Sequence, residues 1–352
     1  MITRSDGSSQ PPPWQREMAR AIRDPAELLE ALGLDADLLP AARRAAGRFP
    51  LLVTRGFLER MRHGDPDDPL LRQILPLNAE LATQAGFVAD PVGDLPATAA
   101  PGVLRKYRGR TLLIATSACA VNCRYCFRRE YPYAGNHASR DGWRQALETI
   151  AADEDCDEVI LSGGDPLMLS DRRLGALSDA LDTLPRIRRL RIHTRLPVVL
   201  PSRVDDGLIA WLNGLRCQAV MVLHSNHPNE IDPAVHSAAG RLRGAGVTLL
   251  NQSVLLRGVN DSPETLCALS ESLFACGVLP YYLHLLDPVK GAGHFDVPAA
   301  EATELVRAVR ARLPGYLVPR LVRETPGASS KLPVVAEYRN ETLKAEGLAM
   351  PL

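Results

Sequence analysis

The chain has 352 residues, with 41 basic and 41 acidic side chains and a formal net charge of zero. Hydrophobic residues make up 46% and charged residues 23%, which is typical of a soluble globular protein with one large domain or two modest ones. The charge balance gives no basic surface for nucleic acid, and no apolar run reaches membrane-spanning length. The polar, proline-rich start lacks the apolar core of a signal peptide, so a cytoplasmic protein is expected.

The first section, residues 1–105, is predicted to be a helical cap region with a disordered start at residues 1–13. Helical patterns cover residues 14–39, 41–48 and 54–61. The clearest helix start is Asp24-Pro25-Ala26-Glu27, which combines an N-cap, a proline in the first turn and an acid shortly after. Because the section contains no cysteine and no evident catalytic cluster, we expect it to be a helical cap that packs on the main domain.

Strand and helix patterns alternate six times between residues 106 and 322. The strand-like runs are 111–116, 158–161, 190–193, 219–223, 248–255 and 281–286. The amphipathic segments between and after them are 143–151, 172–183, 206–213, 233–245, 263–275 and 299–312. This alternation predicts parallel β/α units, and six such units with right-handed crossovers curl into a partial barrel. The predicted fold class is therefore α/β, a partial (β/α)6 barrel of the TIM type, followed by a C-terminal segment at residues 323–352.

Unusual polar residues follow every predicted strand. A cysteine loop follows the first strand, and Ser162-Gly-Gly-Asp-Pro166 follows the second. The later strand ends carry His193, His224, Gln252 and Asp287. Because the carboxyl ends of parallel strands in a barrel meet at one mouth, these residues are expected to form one site.

Three cysteines, Cys119, Cys123 and Cys126, have the spacing C-x3-C-x2-C, with no fourth cysteine nearby. Thiolates are the usual ligands of a [4Fe–4S] cluster, and three of them leave one iron open to a small molecule. A zinc site and chance spacing are the alternatives. Zinc favours four ligands, and the nearest downstream histidine, His137, is poorly placed. The spacing therefore favours a cluster, and the other four cysteines are expected to be buried free thiols.

The cysteine loop, taken with Gly163, Gly164 and Asp165, resembles the radical S-adenosylmethionine superfamily. The resemblance implies that S-adenosylmethionine chelates the open iron and that the Gly-Gly-acid segment holds its methionine amino group. It also implies that an electron from the cluster cleaves the sulfonium to a 5′-deoxyadenosyl radical. A narrower similarity, from about residue 43 to about residue 333, is to lysine 2,3-aminomutase. Its segments include His224-Ser-Asn-His-Pro-Asn-Glu230, Leu250-Asn-Gln-Ser-Val-Leu-Leu-Arg-Gly-Val-Asn-Asp261 and Pro326-Gly-Ala-Ser-Ser-Lys331-Leu-Pro.

The resemblance implies that pyridoxal 5′-phosphate is a third cofactor. Lys331 matches the lysine that forms a Schiff base with it, a role that requires an amine. Arg110 and Lys106 match the basic residues that bind the cofactor phosphate, although the family usually has arginine at the position of Lys106. Tyr107 lies between them and is expected to pack on the cofactor.

The same resemblance assigns substrate contacts. Arg128 matches the arginine that pairs with the α-carboxylate, because a guanidinium suits that planar anion. Asp287 matches one of two acids that hold the distal ammonium of lysine. Glu324 takes the place of the second acid, normally aspartate, and its extra methylene shifts the pocket or extends its reach to a shorter substrate. His224 and Gln252 are expected near S-adenosylmethionine by position. Further candidate wall residues are His193, Asn226, His227 and Asn251.

The implied activity is that of an isomerase that moves the 2-amino group of L-lysine to carbon 3. Within the family the chain is most similar to the bacterial branch that makes β-lysine, in the R form, for modification of elongation factor P by a separate ligase. An external electron donor such as flavodoxin is implied as a partner. The sequence ends about twenty residues after Lys331, where longer members carry a C-terminal extension that serves assembly and a structural metal site. The resemblance therefore implies neither that zinc site nor a tetramer, and it leaves a homodimer open.

Three other functions compete with this one. A 2,3-aminomutase for another amino acid, such as glutamate, is disfavoured because Asp287 and Glu324 would repel an anionic distal group. A radical enzyme of another type would need no pyridoxal phosphate and no reactive Lys331. An iron–sulfur binding or regulatory protein would leave the polar strand ends without a use.

Overall fold

The computed structural model describes residues 11–138 and 143–335. The N-terminal region begins with five helices, which are α1 (Pro13–Ala19), α2 (Pro25–Leu32), α3 (Leu39–Arg48), α4 (Arg55–Leu58) and α5 (Pro69–Arg72). The Asp24 carboxylate caps α2 by accepting a hydrogen bond from the Ala26 amide, as the sequence pattern predicts. Of the start predicted to be disordered, residues 1–10 lie outside the described residues. Helix α1 begins at Pro13, inside that predicted range, because proline suits the first turn of a helix.

One ten-stranded sheet organises the rest of the chain, and its strands follow one another in chain order from β1 to β10. Each strand from β3 to β8 is parallel to the next, whereas β1–β2, β2–β3 and β9–β10 pair antiparallel. The strands are β1 (Thr98–Ala100), β2 (Val103–Leu104), β3 (Arg110–Thr116), β4 (Glu158–Gly163), β5 (Arg189–Thr194), β6 (Gln218–Leu223), β7 (Thr248–Val254), β8 (Leu279–His284), β9 (Arg320–Arg323) and β10 (Leu332–Pro333).

Helices connect the parallel strands. They are α6 (Arg144–Ala151), α7 (Asp171–Asp182), α8 (Leu196–Val199), α9 (Asp206–Asn213), α10 (Pro233–Gly244), α11 (Pro263–Ala275) and α12 (Ala299–Arg310). The predicted partial (β/α)6 barrel is confirmed, with β3 to β8 as its six strands. The sequence patterns missed β9, which extends the parallel sheet beside β8. Only Leu321 and Val322 of its four residues are buried, which is too short a run to show a strand period.

The core explains why these elements pack as they do. Helix α7, for example, buries Leu174, Leu177 and Leu181, which are spaced three and four residues apart and so share one face. Apolar side chains of the N-terminal helices, such as Leu28 and Phe57, belong to the same buried cluster as those of β3 to β7. The N-terminal region therefore has no core separate from that of the barrel. Within residues 11–138 and 143–335, no helix is both long and apolar enough to cross a membrane.

Candidate active site

A cavity of about 330 Å³ lies at the carboxyl ends of the parallel strands. Side chains and backbone that follow β3, β4, β5, β6, β7 and β8 all line it, as expected from the polar strand ends. Every site residue that the sequence singled out as a ligand of a cofactor, a metal or the substrate reaches this cavity. These residues are Lys106, Arg110, Cys119, Cys123, Cys126, Arg128, Gly163, Gly164, Asp165, His224, Gln252, Asp287, Glu324 and Lys331.

The cysteine loop is held by a buried ion cluster. Glu80, from the N-terminal region, accepts hydrogen bonds from Arg124 Nε (2.8 Å) and Nη2 (2.6 Å) and from Arg129 Nη2 (2.7 Å). Arg124 also donates to the Phe49 carbonyl at 2.8 Å, and both guanidinium groups lie over the Phe49 ring. Because Arg124 stands between Cys123 and Cys126, this cluster fixes the part of the loop that carries two of the three thiols.

Gly163, the last residue of β4, and Gly164 pack directly against the backbone that leads to the cysteine loop. A Cβ on Gly164 would lie 2.4 Å from the Ala118 carbonyl oxygen, and one on Gly163 would lie 2.7 Å from the Thr116 oxygen. The Gly164 amide donates to the Thr116 carbonyl and the Asp165 amide to the Ala118 carbonyl, each at 2.7 Å. The two motifs are therefore one packed unit, and the space that a side chain would need is already filled by backbone.

The Asp165 carboxylate is fully engaged by protein donors. Its Oδ1 accepts from the Leu167 amide (3.1 Å) and the Thr194 hydroxyl (2.7 Å), and its Oδ2 accepts from the amides of Arg195 (2.7 Å) and Leu196 (3.2 Å). Burial raises its pKa to about 6, although these hydrogen bonds act in the opposite direction. Since two carboxylate oxygens offer about four acceptor positions, a ligand contact from this segment comes from its backbone.

Arg195 contacts one of the three thiols, although the sequence assigned no role to this arginine. Its Nη1 donates to the Cys123 sulfur at 2.8 Å, and its Nη2 donates to Gln73 Oε1 (2.6 Å) and Glu230 Oε2 (3.0 Å). The arginine is buried, and Glu230 balances its charge. Its position after β5, in a run of polar residues at a strand end, was the available signal.

Lys331 forms a compact polar network with Glu324. The Lys331 ammonium donates to Glu324 Oε2 at 2.9 Å, and the Tyr107 hydroxyl donates to Oε1 at 2.7 Å. Burial by itself would raise the pKa of Glu324, but Lys331, the Tyr107 hydrogen bond and Lys106 together hold it below its ordinary value. Glu324 is therefore an anion that already holds one ammonium group.

Asp94 bridges two of the predicted ligand-binding cations. One oxygen lies 2.7 Å from Lys106 Nζ, and the other accepts from Arg128 Nε at 2.7 Å. Arg128 Nη1 also donates to Ser162 Oγ at 2.8 Å. Asp94 comes from the N-terminal region, in which the sequence shows no evident catalytic cluster, and it lines the same cavity. An ion pair between residues 34 positions apart leaves no local pattern in a sequence.

Arg110 and Asp287 contrast with these paired groups. The Arg110 guanidinium lies over the Tyr107 ring, 5.1 Å from its centroid. Neither Arg110 nor Asp287 has a side-chain hydrogen bond or ion pair with any other residue that the structure describes. Burial raises the pKa of Asp287 to about 7, and the nearby charge of Glu324 acts in the same direction. The cavity thus contains one cation and one carboxyl group that are free to meet a ligand.

The candidate wall residues divide into two groups. His193 and Asn226 line the cavity, whereas His227 and Asn251 do not. His227 caps the short turn at Pro228–Glu230, and Asn251 bonds to the Ser225 backbone. The expectation that His227 and Asn251 form the site wall is therefore wrong, because their polar atoms serve the backbone.

His224 and Gln252 meet across the strand ends. The Gln252 Nε2 and His224 Nε2 atoms are 3.1 Å apart, a hydrogen-bonding distance. Burial lowers the pKa of His224 to about 3, so its ring is neutral at physiological pH. With the amide as donor, His224 Nε2 is the acceptor and the ring proton is on Nδ1.

Comparison with known proteins identifies the family. Residues 113–209 match the model of the Radical SAM superfamily. Over 329 residues the chain is 47% identical to the L-lysine 2,3-aminomutase of Escherichia coli (strain K12), covering 93% of this chain and 96% of that relative. It is 46% identical to the L-lysine 2,3-aminomutase of Haemophilus influenzae, with coverage of 90% and 94%. It is 32% identical to that of Clostridium subterminale, with coverage of 92% and 78%.

The chain belongs to the lysine 2,3-aminomutase family of radical SAM enzymes. It is accordingly an isomerase, and its superfamily implies a [4Fe–4S] cluster and S-adenosylmethionine. The residues present fit that cluster, since three thiols line one cavity and the loop that carries them is fixed by buried ion pairs. Burial raises the pKa of Cys126 to about 11, so cluster binding must displace a proton from this thiol.

Proposed function

We propose that the protein is a radical SAM, pyridoxal phosphate-dependent L-lysine 2,3-aminomutase that converts α-lysine to (R)-β-lysine for modification of elongation factor P. The observation that carries the proposal is the distribution of charge in one cavity. The three thiols share it with the Lys331 amine, with Arg128, and with the carboxyl groups of Asp287 and Glu324. A lysine substrate has a carboxylate at one end and an ammonium at the other, which matches this set.

Different residues bind the two ends of the lysine substrate. Arg128 has two of its three nitrogens engaged with Asp94 and Ser162, which leaves Nη2 for the substrate carboxylate. Asp287 and Glu324 hold the distal ammonium. An anionic side chain, such as that of glutamate, would meet these carboxyl groups instead, which disfavours it as substrate.

The remaining residues prepare the site for its cofactors. Lys331 supplies the amine, and Arg110 supplies the free guanidinium for the phosphate of pyridoxal 5′-phosphate. His224 is neutral and adds no charge beside the cationic S-adenosylmethionine. When bound, the cofactors supply a carbon-centred radical, an imine-forming carbonyl and a π-system that stabilises an unpaired electron. The chain positions these groups and excludes water.

The partners follow from the same proposal. The cluster takes its electron from an external donor such as flavodoxin, and a separate ligase transfers the β-lysine to elongation factor P. The assembly proposed is a homodimer in the cytoplasm. The support for this branch is the 43–47% identity to three relatives that are named L-lysine 2,3-aminomutase.

The test is chiral analysis of the product that reconstituted protein forms from L-lysine, S-adenosylmethionine, pyridoxal phosphate and a reductant. We expect (R)-β-lysine, and we expect Cys123→Ala and Lys331→Ala to abolish it. Matched controls are Cys267→Ala in α11 and Lys290→Ala at an exposed position, both of which should keep turnover. Turnover that survives Lys331→Ala, or a preference for glutamate over lysine, would refute the proposal.

A further inference from the structure

Asp94 is a buried carboxylate with two cationic partners in the cavity. Its side chain is only 2% exposed, and Lys106 and Arg128 lie on its two oxygens at 2.7 Å each. Burial alone would raise its pKa, but Arg128 and then Lys106 hold that pKa below its ordinary value. A buried pair of this kind is costly to break, because removal of one partner leaves an uncompensated charge.

Two sets of contacts hold the loop that carries Asp94. The Asp90 carboxylate accepts from the amides of Asp94 and Leu95, each at 2.9 Å, which closes the turn. Gly93 has a left-handed φ of 66°, and a Cβ there would lie 3.2 Å from the Pro326 side chain. The loop therefore packs on the segment that leads to Lys331. This packing and the Asp90 hydrogen bonds hold Asp94 in the cavity.

Lys106 lies among three oxygen atoms of the protein. Its ammonium donates to the Val92 carbonyl at 2.7 Å, lies 2.7 Å from Asp94 Oδ1, and forms a longer ion pair with Glu324 Oε1 at 3.6 Å. Carboxylates of the protein itself therefore balance its charge. Arg110, in contrast, has a guanidinium whose contact among the described residues is the Tyr107 ring.

From this geometry we infer that Asp94 is a positioning residue that divides the cavity's cations between two tasks. It orients Arg128 so that Nη2 faces the substrate carboxylate, and it withdraws Lys106 from anion binding. Arg110 is then the principal anchor of the cofactor phosphate, and Lys106 is part of the support. The inference rests on the proposed function for the identity of the two ligands, and it adds Asp94 to the residues that the sequence motifs assigned to the site.

The first experiment measures L-lysine affinity without turnover, from the lysine-dependent change of the pyridoxal absorbance band in reconstituted protein without reductant. We expect Asp94→Asn to weaken lysine binding about 10-fold or more, because Arg128 loses its charged partner. Asp94→Glu should restore part of the affinity. The double variant Asp94→Asn/Arg128→Gln should bind no more weakly than Arg128→Gln alone. Additive losses in the double variant would overturn the inference.

The second experiment measures only the affinity for pyridoxal phosphate. It does not require the Asp94 variants to fold. Arg110→Gln should weaken cofactor binding about 10-fold or more, whereas Lys106→Gln should weaken it less than about 3-fold. Equal losses for the two variants would overturn the division of labour. Lys290→Gln, at an exposed position, is the matched control for the loss of a cation.

The two experiments separate this inference from the proposed function. If wild-type protein binds pyridoxal phosphate but not lysine, the substrate is wrong, and the comparison of Arg110 with Lys106 still tests the inference. If lysine and cofactor both bind and Asp94→Asn leaves both affinities unchanged, the inference is wrong and the proposed function is unaffected.

Discussion

Two carboxyl groups in this cavity have opposite pKa shifts, although both are proposed to bind the same ammonium. The pKa of Glu324 is lowered, since Lys331 and Tyr107 donate hydrogen bonds to it. The pKa of Asp287 is raised to about 7 by burial, since it has no such donor among the described residues. The resemblance assigns both acids to the distal ammonium. Their environments make Glu324 an anion at neutral pH and Asp287 a group that titrates near neutral pH.

This difference predicts a pH dependence of lysine binding. Asp287 is charged above about pH 7 and protonated below it, and only the charged form attracts the substrate ammonium. The dissociation constant for L-lysine should therefore rise as pH falls through 7, by up to about tenfold per pH unit. The measurement is a lysine titration at several pH values without reductant. Asp287→Asn should bind lysine weakly with a flatter profile, and an unchanged slope in that variant would exclude Asp287 as the titrating group.

At the scale of elements, the decisive contact is that between the ends of β3 and β4. The sequence predicted both strands and both motifs, and the resemblance assigned the Gly-Gly-acid segment to the methionine amino group of S-adenosylmethionine. The structure shows backbone of the chain itself packed against these glycines, since the Ala118 oxygen lies 2.4 Å from the position of a Gly164 Cβ. A motif is visible in the local sequence. The backbone that leaves room only for glycine comes from the neighbouring strand, and its position depends on strand pairing.

This contact predicts opposite effects for two glycine substitutions. Gly164→Ala should lower the free energy of unfolding by about 1–3 kcal/mol and reduce the iron content after reconstitution, because backbone at 117–118 must move. Gly175→Ala in α7, where no atom lies within 4 Å of the new Cβ, should raise stability by up to about 1 kcal/mol. Chemical denaturation and iron analysis check both, and a Gly164→Ala protein with full iron content and stability would contradict the packing argument.

At the scale of the whole molecule, local periodicity was sufficient for the six parallel strands and their helices. It was insufficient for β9, which has two buried residues, and for the contacts that join distant parts of the chain. Resemblance to family motifs predicted that one site contains the cysteines, Arg128, Asp287, Glu324 and Lys331. The buried ion pairs Glu80–Arg124, Asp94–Arg128 and Arg195–Glu230 escaped prediction because each connects residues 34 or more positions apart.

The Glu80 cluster links the N-terminal region to the cysteine loop, so its loss should affect both. Glu80→Gln would leave two buried guanidinium groups without a counter-charge, and we expect a loss of about 3–5 kcal/mol in unfolding free energy. Iron content after reconstitution should fall in parallel. Glu304→Gln, at an exposed pair with Arg307, should change stability by less than about 1 kcal/mol. A similar, small change in both variants would show that the cluster is not a structural link.

The contact between Gly93 and Pro326 has a consequence for the order in which the site is built during synthesis. A growing chain acquires Asp94, its three thiols and Arg128 more than two hundred residues before it acquires Lys331. Asp94, the three thiols and Arg128 are therefore translated first, but the loop that carries Asp94 lacks its Pro326 packing partner until the segment just before Lys331 has been made. The support of Arg128 and the amine that is proposed to capture pyridoxal phosphate are thus completed at the same late stage of synthesis.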